Sequence, residues 1–95
     1  MKKQVKDLLR STLNRMKFDE RFTIHGPIEH PKYRDVLNVF FDYVQGSPPY
    51  KTYVVEFHKS QMRSLTKSQV VKYVEMTMRS AEGGLLDEIA ELEEE

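Results

Sequence analysis

The sequence predicts one α+β domain in the order α-β-β-β-α-α, a three-stranded antiparallel meander with two helices packed on one face and a short acidic C-terminal helix. Three observations predict it. Apolar residues recur at three- and four-residue steps near both ends of the chain, they alternate with polar residues through its middle, and Gly- and Pro-containing segments separate the alternating runs. Ninety-five residues fit a single core and leave no room for a second, so residues 1–95 form one domain with 84–95 at its periphery.

The first helix is expected over about residues 2–17, where Val5, Leu8, Leu9, Leu13 and Met16 fall on one stripe. Lys2, Lys3, Lys6, Arg10 and Lys17 fill the opposite face. Phe22-Thr23-Ile24-His25 then alternates as a short first strand, which Gly26-Pro27 is expected to end in a turn. Val36–Val44 is the central strand, since both of its faces carry bulk, and Thr52–His58 is the third.

Gln45-Gly46-Ser47-Pro48-Pro49-Tyr50 is turn chemistry and makes a hairpin of the last two strands. A loop over Gly46–Tyr50 pairs Tyr43 with Tyr53, Phe41 with Val55 and Val39 with Phe57 on an apolar face. On the other face it pairs Asn38 with His58, Phe40 with Glu56 and Asp42 with Val54. That second face is half polar, as in a sheet with one side wet.

Thr66-Lys67-Ser68-Gln69 has capping-box spacing and starts a second long helix with the buried stripe Val70, Val71, Val74, Met78 and Ala81. Gly83-Gly84 is the expected stop. Leu85, Leu86, Ile89 and Leu92 then recur among acidic residues as the last short helix.

The formal net charge is zero, but it resolves into blocks: +5 over residues 1–17, −2 over 18–49, +4 over 50–72 and −7 over 73–95. A neutral total argues against a dedicated nucleic-acid binder, while two basic blocks still allow one local patch. The absence of cysteine removes disulfides, thiolate metal sites and cysteine nucleophiles. No apolar run approaches the ~20 residues of a membrane span, and the N-terminus is amphipathic, so a cytoplasmic protein without membrane contact is expected. A core this small leaves homodimerisation open.

His25, His30 and His58 lack HxxxH or HxH spacing, so neither a metal nor another cofactor is expected. GxSxG, GxxxxGK[ST] and GxGxxG are all absent, and the reading is non-enzymatic, with His30 as a general base of a small ribonuclease only a third choice. The first choice is a small adaptor or inhibitor that engages a protein partner. Its candidate contacts are the apolar stripe Leu85, Leu86, Ile89 and Leu92, whose acidic surroundings suit a basic partner surface, together with Phe40 and Glu56 on the wet sheet face.

The second choice is nucleic acid, held by a basic strip of Lys3, Lys6, Arg10, Lys59, Arg63 and Lys67 with His30, Lys32 and Arg34 of the loop between the first two strands. The helix, three strands, helix order, with Gly26-Pro27 and His30, resembles double-stranded-RNA-binding domains and their Gly-Pro-x-His turn. The resemblance implies a Lys-rich opening of the second long helix that grips phosphates. The matching stretch here, Thr66–Lys72, has Lys67 and Lys72 without the family's paired lysines, and Glu29 makes the turn one residue longer.

Overall fold

The computed structural model describes residues 4–44 and 51–93, with side chains as far as Glu91. It has α1 (Val5–Arg15), β1 (Phe22–Glu29), β2 (Val36–Tyr43), β3 (Lys51–His58), α2 (Lys59–Arg63) and α3 (Lys67–Glu93). The three strands form one antiparallel sheet in the order β1-β2-β3, which is the predicted α-β-β-β-α-α meander. The predicted Gly46–Tyr50 loop lies outside the described residues.

Both long helices lie on one face of the sheet. Val5, Leu9 and Leu13 of α1 and Val70, Val74, Met78 and Ile89 of α3 are buried with Leu37, Val39, Phe41 and Phe57. Phe41 is the centre of this layer. Phe18 and Phe22 meet its ring edge-on at 5.5 and 5.4 Å, the offset geometry that aromatic quadrupoles favour. Phe57 meets Tyr73 at 5.9 Å, which places α3 above β3.

Four features differ from the sequence reading, each for a physical reason. First, β1 does not stop at Gly26-Pro27. Its pairing slips between His25 and Ile28 and resumes at Ile28 opposite Asn38, so the dipeptide forms a bulge inside the strand, with a cis peptide bond. Gly26 has φ +118°, and a Cβ there would sit 2.6 Å from the Asn38 carbonyl oxygen and 3.2 Å from the Val39 Cα. Only glycine allows β1 to approach β2 so closely.

Second, β3 pairs two residues away from the expected register, with Tyr43 opposite Lys51, Phe41 opposite Tyr53, Phe40 opposite Val54 and Asn38 opposite Glu56. A shift of two preserves every side chain's face, so the alternating pattern satisfies both registers equally. Phe40 and Glu56 therefore occupy adjacent rows of one face and not a single row.

Third, residues 59–63 form a separate helix. Asp35 holds its start by accepting the Ser60 backbone N–H at 2.8 Å and the Ser60 hydroxyl at 2.7 Å. Fourth, the two closing helices are divided elsewhere than expected. The capping box forms, with the Gln69 Oε1 accepting the Thr66 N–H at 2.8 Å and Thr66 Oγ1 accepting the Gln69 N–H at 3.2 Å, but the helix it starts continues through Gly83-Gly84 to Glu93. Leu85, Leu86 and Ile89 prolong the stripe of Val70, Val74, Met78 and Ala81 without a change of phase. Their burial outweighs the ~1 kcal/mol that each interior glycine costs a helix.

Gly26→Ala is expected to destabilise the fold by at least about 2 kcal/mol, combining an unfavourable φ with a clash against backbone that cannot rotate away. Urea unfolding measures it; a midpoint equal to that of the unsubstituted chain would contradict the bulge as the reason for the glycine.

Candidate functional site

The helices cover one face of the sheet and leave the other open. Its central row holds His25, Phe40 and Val54, and the neighbouring rows hold Thr23, Asp42 and Thr52 on one side and Ile28, Asn38 and Glu56 on the other. Val54 is 53% and Ile28 49% exposed, and Phe40 is half-buried between them. The face thus has an apolar centre, and its polar groups are arranged around it.

Asp42 organises one side of that rim. It accepts a 2.7 Å hydrogen bond from the Thr52 hydroxyl through Oδ1 and lies 2.7 Å from His25 Nε2 through Oδ2. The order is hydroxyl, carboxylate, imidazole. A hydrolytic triad needs the imidazole between the other two, so this chain of bonds ties three strands together without activating Thr52 as a nucleophile.

Asn38 lies in the middle of the sheet, only 9% exposed, and its Oδ1 is buried without a hydrogen-bond partner among the described residues. An unpaired buried amide oxygen costs about 1–3 kcal/mol.

At one end of the molecule β1 ends, β2 begins, and β3 leads into α2 and α3. Glu29 draws two of the predicted basic residues together there: Lys59 Nζ lies 2.8 and 3.0 Å from its carboxylate oxygens and Lys6 Nζ 3.8 Å away. With its side chain 14% exposed, Lys59 is held in the fold and is not presented to solvent. Arg10 pairs with Asp7 one turn along α1 at 3.1 Å.

Lys32, Arg34, Arg63 and Lys67 are exposed at this same end, and Arg63 acts electrostatically on Asp35. Lys3 lies outside the described residues. The Nδ1 of His30 accepts the backbone N–H groups of Lys32 and Tyr33 at 3.0 and 3.1 Å, and its ring lies tilted against that of Tyr33, with centroids 4.7 Å apart. Those bonds put the ring proton on Nε2 and make His30 the organiser of the β1–β2 turn.

The stripe expected to meet a partner is used differently. Ile89 is buried and Leu85 and Leu86 pack against the chain's own core, because α3 does not break at the glycines; the Leu92 side chain lies outside the described ones. Burial pushes the Tyr53 phenol pKa up, and the Glu88 carboxylate of α3 adds to the shift.

A further groove, of ≈ 550 Å³, runs between α1 and α3 and is lined by Arg15, Lys17, Glu75 and Arg79. Arg79 is anchored in it, donating to the Lys17 carbonyl at 2.6 Å and to Glu82 at 3.1 Å with its guanidinium 5.2 Å over the Phe18 ring. No local pattern marks this clamp, since Lys17 and Phe18 lie more than sixty residues from Arg79 in the chain. Among the described residues no group of three or more His, Asp or Glu converges as a metal site requires, and no helix is long and apolar enough to cross a membrane.

No family model matches the chain, and no curated protein or solved structure matches it either.

Three carboxylates are held below their ordinary values. Hydrogen bonds from Arg21 lower Asp19 to about 2, the Lys59 ammonium lowers Glu29, and the Ser60 hydroxyl and N–H lower Asp35. A carboxyl whose pKa is depressed by folding contributes stability that is complete above its unfolded value and lost as pH falls through its folded value. Urea midpoints are therefore expected to hold steady down to the ordinary Glu value of 4.5 and then to decline toward pH 2. Asp19→Asn is expected to lower the plateau and flatten the decline; an unchanged acid limb would show that Arg21 does not hold Asp19 in solution.

Proposed function

We propose that the chain is a non-enzymatic binding module, an adaptor or inhibitor, that engages a protein partner through the open face of its sheet. The observation that carries this reading is the apolar patch of Ile28, Phe40 and Val54 exposed on the sheet face that neither long helix covers. A partner suited to it brings apolar side chains to Ile28, Phe40 and Val54 and a cation to Glu56. Apolar anchors at the centre of a contact contribute most when the surrounding contacts exclude water.

A photo-crosslinking residue at position 54, in the full chain expressed in its host, is expected to capture one protein reproducibly. Val54→Lys is expected to weaken that complex at least about tenfold while leaving the thermal midpoint within a few degrees, because position 54 contributes little to the core. Full retention of the complex by Val54→Lys would reject the sheet face as the contact.

A second reading, nucleic-acid binding, is supported by the exposure of Lys32, Arg34, Arg63 and Lys67 at one end of the molecule. If those four exposed cations each meet a phosphate, affinity for a duplex should fall about 100-fold over a fourfold rise in salt. Fluorescence anisotropy with labelled RNA and DNA duplexes reads this, and no change in anisotropy even at low salt would dismiss it.

A further inference from the structure

Gly83 and Gly84 lie inside α3, where each costs about 1 kcal/mol relative to alanine. Nothing among the described residues requires them. A Cβ added at either position would meet no atom within 4 Å, so no neighbouring element of this chain demands their smallness. Steric need has to come from outside the chain if it exists at all.

The flank of α3 turned away from α1 has the shape of a contact. Val70, Val74, Met78 and Ile89 face the sheet, and Val71, Glu75 and Arg79 line the groove shared with α1. The remaining flank carries Tyr73, Met76, Thr77, Ser80 and Ala81 around a groove of ≈ 500 Å³, and Gly84 continues it one turn further. Met76 is 63% exposed, the most solvent-exposed large apolar side chain on the helices among the described ones. An exposed Met beside small residues is a knob next to a hole.

The charge along α3 indicates which molecule brings the complementary surface. Its first turns carry Lys67 and Lys72, and its last carry Asp87, Glu88 and Glu91. A second α3 laid antiparallel across Ser80 sets Lys72 against the partner's Asp87 and Met76 against the partner's Gly83, and repeats both contacts on the other side of the axis. Such a two-fold contact is self-complementary in charge and in size at once.

We infer that this flank of α3 is a homodimer interface, in which two copies of the chain cross antiparallel near Ser80 and each Met76 packs over the glycines of the other. Small residues at the crossing let the helix axes approach at the short end of the usual 8–10 Å. The contact leaves the open sheet face and the basic end of each copy uncovered, so it does not depend on the proposed function.

Sedimentation equilibrium on the full chain, from about 1 to 500 µM, is expected to give a monomer–dimer equilibrium. Lys72→Glu and Asp87→Lys are each expected to weaken the dimer about tenfold, and the double variant to restore it to within about threefold. Neither change touches the core, so the monomer stays folded. Gly83→Ala with Gly84→Ala should raise the thermal midpoint of the dilute monomer through helix propensity and yet weaken the dimer. A chain that is monomeric over the whole range, or a dimer whose constant ignores both the charge reversal and the alanines, overturns the inference.

Discussion

The contact on which this structure depends is the unbroken apolar stripe of α3 against the sheet. Val70, Val74, Met78, Ala81, Leu85 and Ile89 recur at steps of three and four through all of its described side chains, and Leu37, Val39 and Phe41 of β2 and Phe57 of β3 are fully buried in the same core. A helix of 27 residues is about 40 Å long, whereas an eight-residue strand spans about 26 Å. A single helix therefore carries the positive end of the chain's charge pattern to one end of the sheet and the negative end beyond the other. The blocks that cancel in the total become separated in space because this one stripe does not break.

How much of this was legible depends on which constraint is local. The stripe of α1, the faces of β2 and β3 and the Thr66–Gln69 box each follow from residues at most a few positions apart, and they are found where the pattern puts them. The two-residue register is different, because a pattern of period two has no information that separates registers of equal parity. The bulge at Gly26-Pro27 depends on the backbone of Asn38 and Val39, and the start of α2 depends on Asp35, so neither is visible in its own segment. Gly83-Gly84 misled by local rule alone. The phase of the leucines across the pair already argued for continuity, and tertiary burial decided it.

The candidate site was legible in a similarly partial way. Phe40 and Glu56 were assigned to the correct face, yet the face acquires its centre only when Val54 moves into the row of Phe40 and the bulge brings Ile28 opposite Asn38. The predicted basic strip is likewise assembled in part. Glu29, which the bulge carries into β1, gathers Lys6 and Lys59 and neutralises part of what they would offer a phosphate. The cations left exposed belong to the β1–β2 turn, α2 and the start of α3, elements whose positions are set by Asp35, His30 and the capping box.

The two lateral sides of the molecule are not equivalent, and the difference follows from the same packing. Two helices at an ordinary spacing of 8–10 Å match the ~10 Å between the outer strands of a three-stranded sheet, so α3 lies over β3 and α1 toward β1. On the β1 side the edge is interrupted by a bulge whose Pro27 has no N–H to donate, a device that discourages strand addition. On the β3 side the edge runs from Lys51 to His58 with no proline, glycine or register break, and no further strand covers it among the described residues. The glycine-lined flank of α3 lies above this regular edge. A second copy that crosses α3 near Ser80 therefore approaches on the one side where both layers, helix and strand, remain open to continuation.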